Sequence, residues 1–298
     1  MKQRVLTIGL MAFLFLPMHV GADVRSRKQA DATPAKGLPR EAGGQSANLL
    51  SAFFGLDNTL PLKADMICRG ARGLDGMPVI FSTEIDHTTL QSGDFQVTKK
   101  SGAKGSVHCV SFLPATDAGE LRTVLLMGEF GNADNDPPAR VEIVGHLHSI
   151  DGKLDFQGAG VAVTPLAPGP TLILAERFDP NVKDQGLGVS RTKGSACPAK
   201  GTLQAVRVVW AGGVKLANGK EPGEAERQLY RVVVRAQDGT LREVKPMALA
   251  DLGDGDNNHL LCLDTTDRPV SVAFPAGVLI DPNRDLNPET SVNVAQKP

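Results

Sequence analysis

Aromatic side chains are scarce: they make up 4% of the 298 residues, and Trp210 and Tyr230 are each the only one of their kind. A carbohydrate site built on several exposed Trp or Tyr rings is thereby disfavoured. A basic excess is missing as well, since 32 Lys and Arg stand against 33 Asp and Glu. Nucleic acid and anionic membrane surfaces, which call for a positive face, are excluded as partners. The apolar stretch Val5–Leu16 is too short to span a bilayer, which takes roughly 20 residues. Common catalytic signatures are absent too: there is no Gly-x-Ser-x-Gly elbow, no His-Glu-x-x-His helix and no phosphate-cradling Gly-rich loop. With 33 acids a carboxylate pair can always be assembled, so acids alone do not argue for a glycosidase. Glu84-Ile85-Asp86-His87 is more simply the turn after a strand than an acid–base pair. No motif assigns an enzymatic activity, and a non-enzymatic role is favoured.

What is present begins with a leader. Lys2 and Arg4 precede the apolar stretch, and Pro17 and Val20-Gly21-Ala22 precede Asp23. A charged start, an apolar run and a small-residue site are the parts of a cleavable signal peptide, over residues 1–22. This places the chain in the periplasm or outside the cell. Residues 23–47, rich in Ala, Gly, Lys, Arg and Gln, have too little apolar content to order themselves and read as a disordered tether. Ser46 through Phe54 carries a cap residue and apolar side chains at helical spacing, predicting a short helix.

From Ala64 onward the pattern changes. Gly (32) and Pro (20) punctuate short β-prone runs, as tight turns require. The runs are 79–82, 95–98, 106–112, 123–127, 141–148 and 161–164, then 171–175, 203–211, 230–235, 260–263 and 270–274. The fold class is all-β, an antiparallel sandwich in each of two parts, 48–168 and 169–298, divided at Pro165–Pro170.

The parts read as diverged copies. Each has a cysteine (Cys68, Cys197), then an apolar strand ending in an aromatic (Phe81, Trp210). An aromatic-led strand follows (Phe95, Tyr230), then a Gly turn (Gly102, Gly239), a second cysteine (Cys109, Cys262) and an Asn-, Asp- and Pro-rich loop (132–138, 281–288). Self-similarity of this kind marks repeated units.

The residues Pro78-Val79-Ile80-Phe81-Ser82, Ile85-Asp86, Thr89-Leu90 and Asp94-Phe95-x-Val97 resemble the opening strands of bacterial immunoglobulin-like domains of surface-layer and other cell-surface proteins. The resemblance covers about a third of the first part and only an outline of the second, where residues 217–226 form a long insert. It implies a seven-stranded or similar sandwich and a role in display, spacing or binding at the cell envelope. Its partner would be an envelope or extracellular ligand, with no membrane insertion of the mature chain.

Four cysteines in an oxidising compartment favour disulfides, with three pairings open. If the parts are separate sandwiches, Cys68 with Cys109 and Cys197 with Cys262 keep each bridge inside one core. No cofactor is fixed by the sequence. Calcium is the one the acidic loops would take, because it prefers several hard oxygen ligands. One candidate set is Asp281, Asn283, Asp285, Asn287 and Glu289; the other is Asp251, Asp254, Asp256 and Asn257. Neither fits the twelve-residue helical calcium loop, since Leu286 and Val292 stand where Gly and Glu are required, and plain turns use the same residue types. His146 and His148, two apart on a predicted strand, would share a face and are the one candidate pair for zinc or copper. A secreted metal-binding protein or metal-dependent enzyme built on that pair is the alternative reading.

Overall fold

The computed structural model describes residues 46–179, 186–188 and 193–295; the leader and nearly all of the tether lie outside them. Seven strands fill the first half: β1 (Leu49–Phe53), β2 (Asp75–Phe81), β3 (Phe95–Lys99), β4 (Ser106–Ser111), β5 (Thr123–Glu129), β6 (Pro138–Ile143) and β7 (Gly160–Thr164). Eight follow: β8 (Leu172–Phe178), β9 (Gln204–Trp210), β10 (Arg231–Arg235), β11 (Leu241–Val244), β12 (Ala248–Ala250), β13 (Asn258–Leu263), β14 (Arg268–Phe274) and β15 (Thr290–Ala295). The all-β reading holds.

The first sheet runs β3-β6-β7-β1-β2-β5-β4 and the second β11-β10-β14-β15-β8-β9-β13-β12. The two orders coincide strand for strand once β11 and β12 are taken together as the counterpart of β4. In the first half the chain after β3 bridges back to it (Thr98 with Lys104) and then crosses to β5 as β4. In the second half the same path is cut by Lys245-Pro246-Met247: β11 stays on β10, and β12 crosses to β13. Proline cannot donate to a ladder, so a break at that point is the local consequence of its sequence.

Each sheet curls over its own core. Four steps separate β2 from β3 in the strand order, about 19 Å if the sheet were flat. Yet the Phe81 and Phe95 rings meet edge to face with centroids 6.3 Å apart, and Phe156 packs on Phe81 at 5.0 Å. In the second half Trp210, ending β9, donates from Nε1 to the Tyr230 hydroxyl at the start of β10 (3.1 Å), and both rings pack on Phe274. The scarce aromatics are thus spent inside, at matching places in the two halves.

Two expectations need correction. The segment entering the first sheet is strand β1, not a helix: it pairs antiparallel with β2 and parallel with β7, and that pairing overrides a short run whose spacing suited either state. Histidines 146 and 148 lie beyond β6, which ends at Ile143, so they are loop residues rather than members of a strand face.

Both disulfides join the expected partners, Cys68 to Cys109 and Cys197 to Cys262. The first cysteines of the two pairs occupy equivalent connections, β1–β2 and β8–β9. The second cysteines do not: Cys109 is on β4, whereas Cys262 is on β13, the counterpart of β5. Nor are the acidic loops equivalent, since 132–137 joins β5 to β6 and 281–289 joins β14 to β15. The repeat resides in strand order and aromatic placement, and the bridges tie equivalent connections to non-equivalent strands.

The two sheets belong to one packed unit. Ile80 of β2 meets Leu174 of β8 and Val209 of β9 in a small apolar cluster between them. Beside it Arg122 donates to Glu176 of β8 at 2.9 Å, a buried ion pair with side chains 5% and 8% exposed. Asn257 reaches across from the second half, its Nδ2 donating to Trp210 O (2.7 Å) and to Thr123 Oγ1 (3.3 Å).

Candidate metal centre

Next to that ion pair, the loop ahead of β5 and the loop between β12 and β13 face one another. They bring together Asp117 and Glu120 from the first half and Asp251 and Asp254 from the second, with one oxygen of each within 4.8 Å of the others. Among the described residues no other group of three or more acidic, His or Cys side chains converges in this way. Glu120 and Asp251 are buried; Asp117 and Asp254 are half-buried and border solvent.

Local backbone fixes one oxygen on most of these carboxylates. Glu120 Oε2 accepts from Asp117 N (2.8 Å), Asp117 Oδ2 from Gly194 N (2.9 Å) and Asp254 Oδ1 from Asp256 N (3.3 Å). Glu120 Oε1, Asp251 Oδ2 and Asp254 Oδ2 are buried without a hydrogen-bond partner. Two glycines admit this crowding. A Cβ on Gly194 would collide with Asp251 Oδ1, and one on Gly119, which has a φ of +83°, would collide with Arg207 Nη1.

The local charge is strongly negative. Asp256, nearly fully buried, adds a fifth carboxylate, although its two oxygens are committed to Asn258 N (2.8 Å) and Nδ2 (2.7 Å). Against these stands Arg207 of β9, which lies over the Phe178 ring at 4.1 Å and comes within 4.0 Å of Asp251 Oδ2. Burial, followed by the charges of Asp256 and Asp251, pushes the Glu120 carboxyl up to about 11. Burial likewise raises Asp254 to about 6, and raises Asp251 and Asp256.

No family model matches the chain. No curated protein matches it either. Among solved structures it is similar to the N-terminal part of the bacterial S-layer protein SbsC, at 13% identity and a TM-score of 0.28, over 85% of this chain and 45% of that one. Two further structures, the S-layer protein rSbsC(31-844) and SbsC domains 1–6, align at 11% identity and a TM-score of 0.28, over 78% of this chain and 42% of theirs. The chain spans less than half the length of each, and a superposition this loose does not equate the folds.

The other predicted site residues do not converge on one centre. Asp281 is buried with Oδ1 accepting from Asp285 N (2.9 Å) and Oδ2 without a hydrogen-bond partner, and burial raises its carboxyl to about 6. Asn283 Nδ2 donates to Asp285 Oδ2 (2.6 Å). Asn287 acts as a bracket: its Oδ1 accepts from Val278 N and Leu279 N, and its Nδ2 donates to Pro275 O and Pro288 O. His146 is exposed and its Nδ1 meets Asp155 Oδ2 at 2.7 Å; the His148 ring stacks on it with centroids 6.4 Å apart. His87 is exposed, His108 Nε2 meets Arg69 O (3.0 Å) and His259 is buried under Tyr230, so among the described residues no third histidine joins the pair. Asp86 caps a turn through Thr88 N and Oγ1, and those bonds hold its carboxyl below the usual range.

Of the converging set, Asp251 and Asp254 were legible as a Gly-rich acidic loop. Asp117 and Glu120 were not, because they look ordinary in sequence and meet their partners from the other half of the chain.

Proposed function

We propose that this chain is an exported, non-enzymatic protein of the cell envelope that works as a rigid scaffold of two immunoglobulin-like sandwiches, 48–168 and 169–298. The observation that carries the reading is the buried polar junction, where Arg122 pairs with Glu176 and Asn257 bridges to Thr123. Buried polar contacts that need exact partners favour one arrangement of the parts over many, and a spacer or display element needs a fixed arrangement. Support for the immunoglobulin-like assignment comes from the strand order, in which the first strand pairs parallel with the last and antiparallel with the second. Two disulfides and the leader pattern support export. Small-angle scattering of the purified mature protein tests the reading. A profile fitted by one fixed arrangement of the halves is expected, and a profile requiring a spread of arrangements would overturn it.

A further inference from the structure

We propose that Asp117, Glu120, Asp251 and Asp254 bind one calcium ion across the junction, a step that rests on the scaffold reading and supplies its fastener. The geometry fits the ion's size. Calcium–oxygen bonds run about 2.3–2.6 Å, so oxygens on opposite sides of one ion lie about 5 Å apart. The four carboxylates place an oxygen each within 4.8 Å of the rest. A cluster of acids alone would not make a site, but this one holds buried carboxylate oxygens that no N–H donor satisfies. Glu120 is completely buried, its Oε2 is anchored by Asp117 N, and its Oε1 accepts from no N–H donor; Asp251, 5% exposed, likewise leaves Oδ2 without one. Crowded carboxylates out of water are costly to keep ionised, and a divalent ion at the common centre removes that cost for all four groups at once. Arg207 stands 4.0 Å from one oxygen of Asp251, and a single guanidinium at that distance does not balance four acids.

The donor chemistry selects the class of ion. All four side chains offer hard carboxylate oxygen and none offers imidazole or thiolate, which disfavours zinc and copper. Calcium accepts six to eight oxygens in irregular geometry, and the half-buried Asp117 and Asp254 leave a side open for water to complete the shell. Magnesium would demand a near-octahedral, largely hydrated site. Because two ligands come from each half, the ion is bound only when the halves are docked, so calcium and docking stabilise one another.

Calorimetric titration of the oxidised mature protein, stripped with chelator, tests this with calcium chloride as the probe. One ion per chain is expected. The paired substitutions Glu120→Gln and Asp254→Asn should weaken binding at least tenfold, while Asp281→Asn with Asp285→Asn should leave it unchanged. Asp254→Asn alone, at a half-buried position, gives the same test should the pair fail to fold. Absence of binding at millimolar calcium, unchanged affinity in the Glu120/Asp254 variant, loss of binding in the Asp281/Asp285 variant, or preference for zinc or magnesium would each overturn the assignment. Scattering on the same samples separates the two ideas. Fixed halves without calcium binding overturn the ion and leave the scaffold, whereas a bound ion with halves that still move overturns the scaffold.

Discussion

Arg122 and Glu176 show what a single buried charge does at this junction. Each is nearly excluded from water, and their charged groups meet at 2.9 Å. Replacing Arg122 by Ala leaves Glu176 charged and buried, so the protein is expected to lose about 3–5 kcal/mol in denaturant unfolding. Arg122→Met combined with Glu176→Leu should recover most of that loss, because an apolar pair of similar volume removes both charges together. A double variant as unstable as the single one would refute the account. His259 offers a second test at this scale. Its Nδ1 accepts from the Tyr230 hydroxyl at 2.8 Å, and burial holds the imidazole down at about 4, so the folded protein keeps it neutral. The unfolded chain takes up that proton near 6.5, so this contribution is complete above pH 6.5 and is lost as pH falls toward 4. His259→Gln keeps an acceptor for Tyr230 without titrating. Its stability relative to wild type should therefore rise by about 3 kcal/mol between pH 6.5 and 4 in paired urea titrations.

At the scale of elements, short β-prone runs set between turn residues were enough to locate most strands, including β2, β5, β9 and β14, although β9 is buried along its whole length and shows no alternation. Strand β1 escaped because a five-residue apolar run has no period of its own; its partners β2 and β7 decide its state. Strands β11 and β12 escaped for the opposite reason, one exposed and charged, the other three residues long. The disulfide pairing was legible because it follows from keeping each bridge within one half. That the bridges end on non-equivalent strands was not legible, since spacing along the chain carries no information on sheet order. The bridges close spans of 41 and 65 residues, and by chain entropy each should stabilise the protein by about 4 kcal/mol. Removing Cys68 and Cys109 together should lower the denaturant midpoint by a comparable margin, and an unchanged midpoint would show that the bridge constrains nothing in the unfolded chain.

For the whole molecule, the shared junction sets the expectation. If the halves lean on one another through Arg122, Glu176, Asn257 and the Ile80 cluster, thermal unfolding should be a single transition whose calorimetric and van't Hoff enthalpies agree. Two resolved transitions in the wild type would mean that each half stands alone. The candidate site was half legible for the same reason. Sequence reading marks an acidic Gly-rich loop, but Asp117 and Asp251 are 134 positions apart, and only the docking of two sheets brings such residues face to face.

The placement of β1 beside β7, and of β8 beside β15, has a mechanical meaning. Both pairings are parallel, with Ala52 opposite Val163 in the first half and Val294 opposite Ala175 in the second. Tension applied along the chain pulls the first and last strands of each half in opposite directions along their length. Every hydrogen bond between them is then loaded in shear at the same moment, instead of being opened one after another as in a zipper. Glu176 lies on the load-bearing strand of the second half and also holds Arg122 of the first, so force entering one half passes to the other through a rigid strand rather than a slack connection.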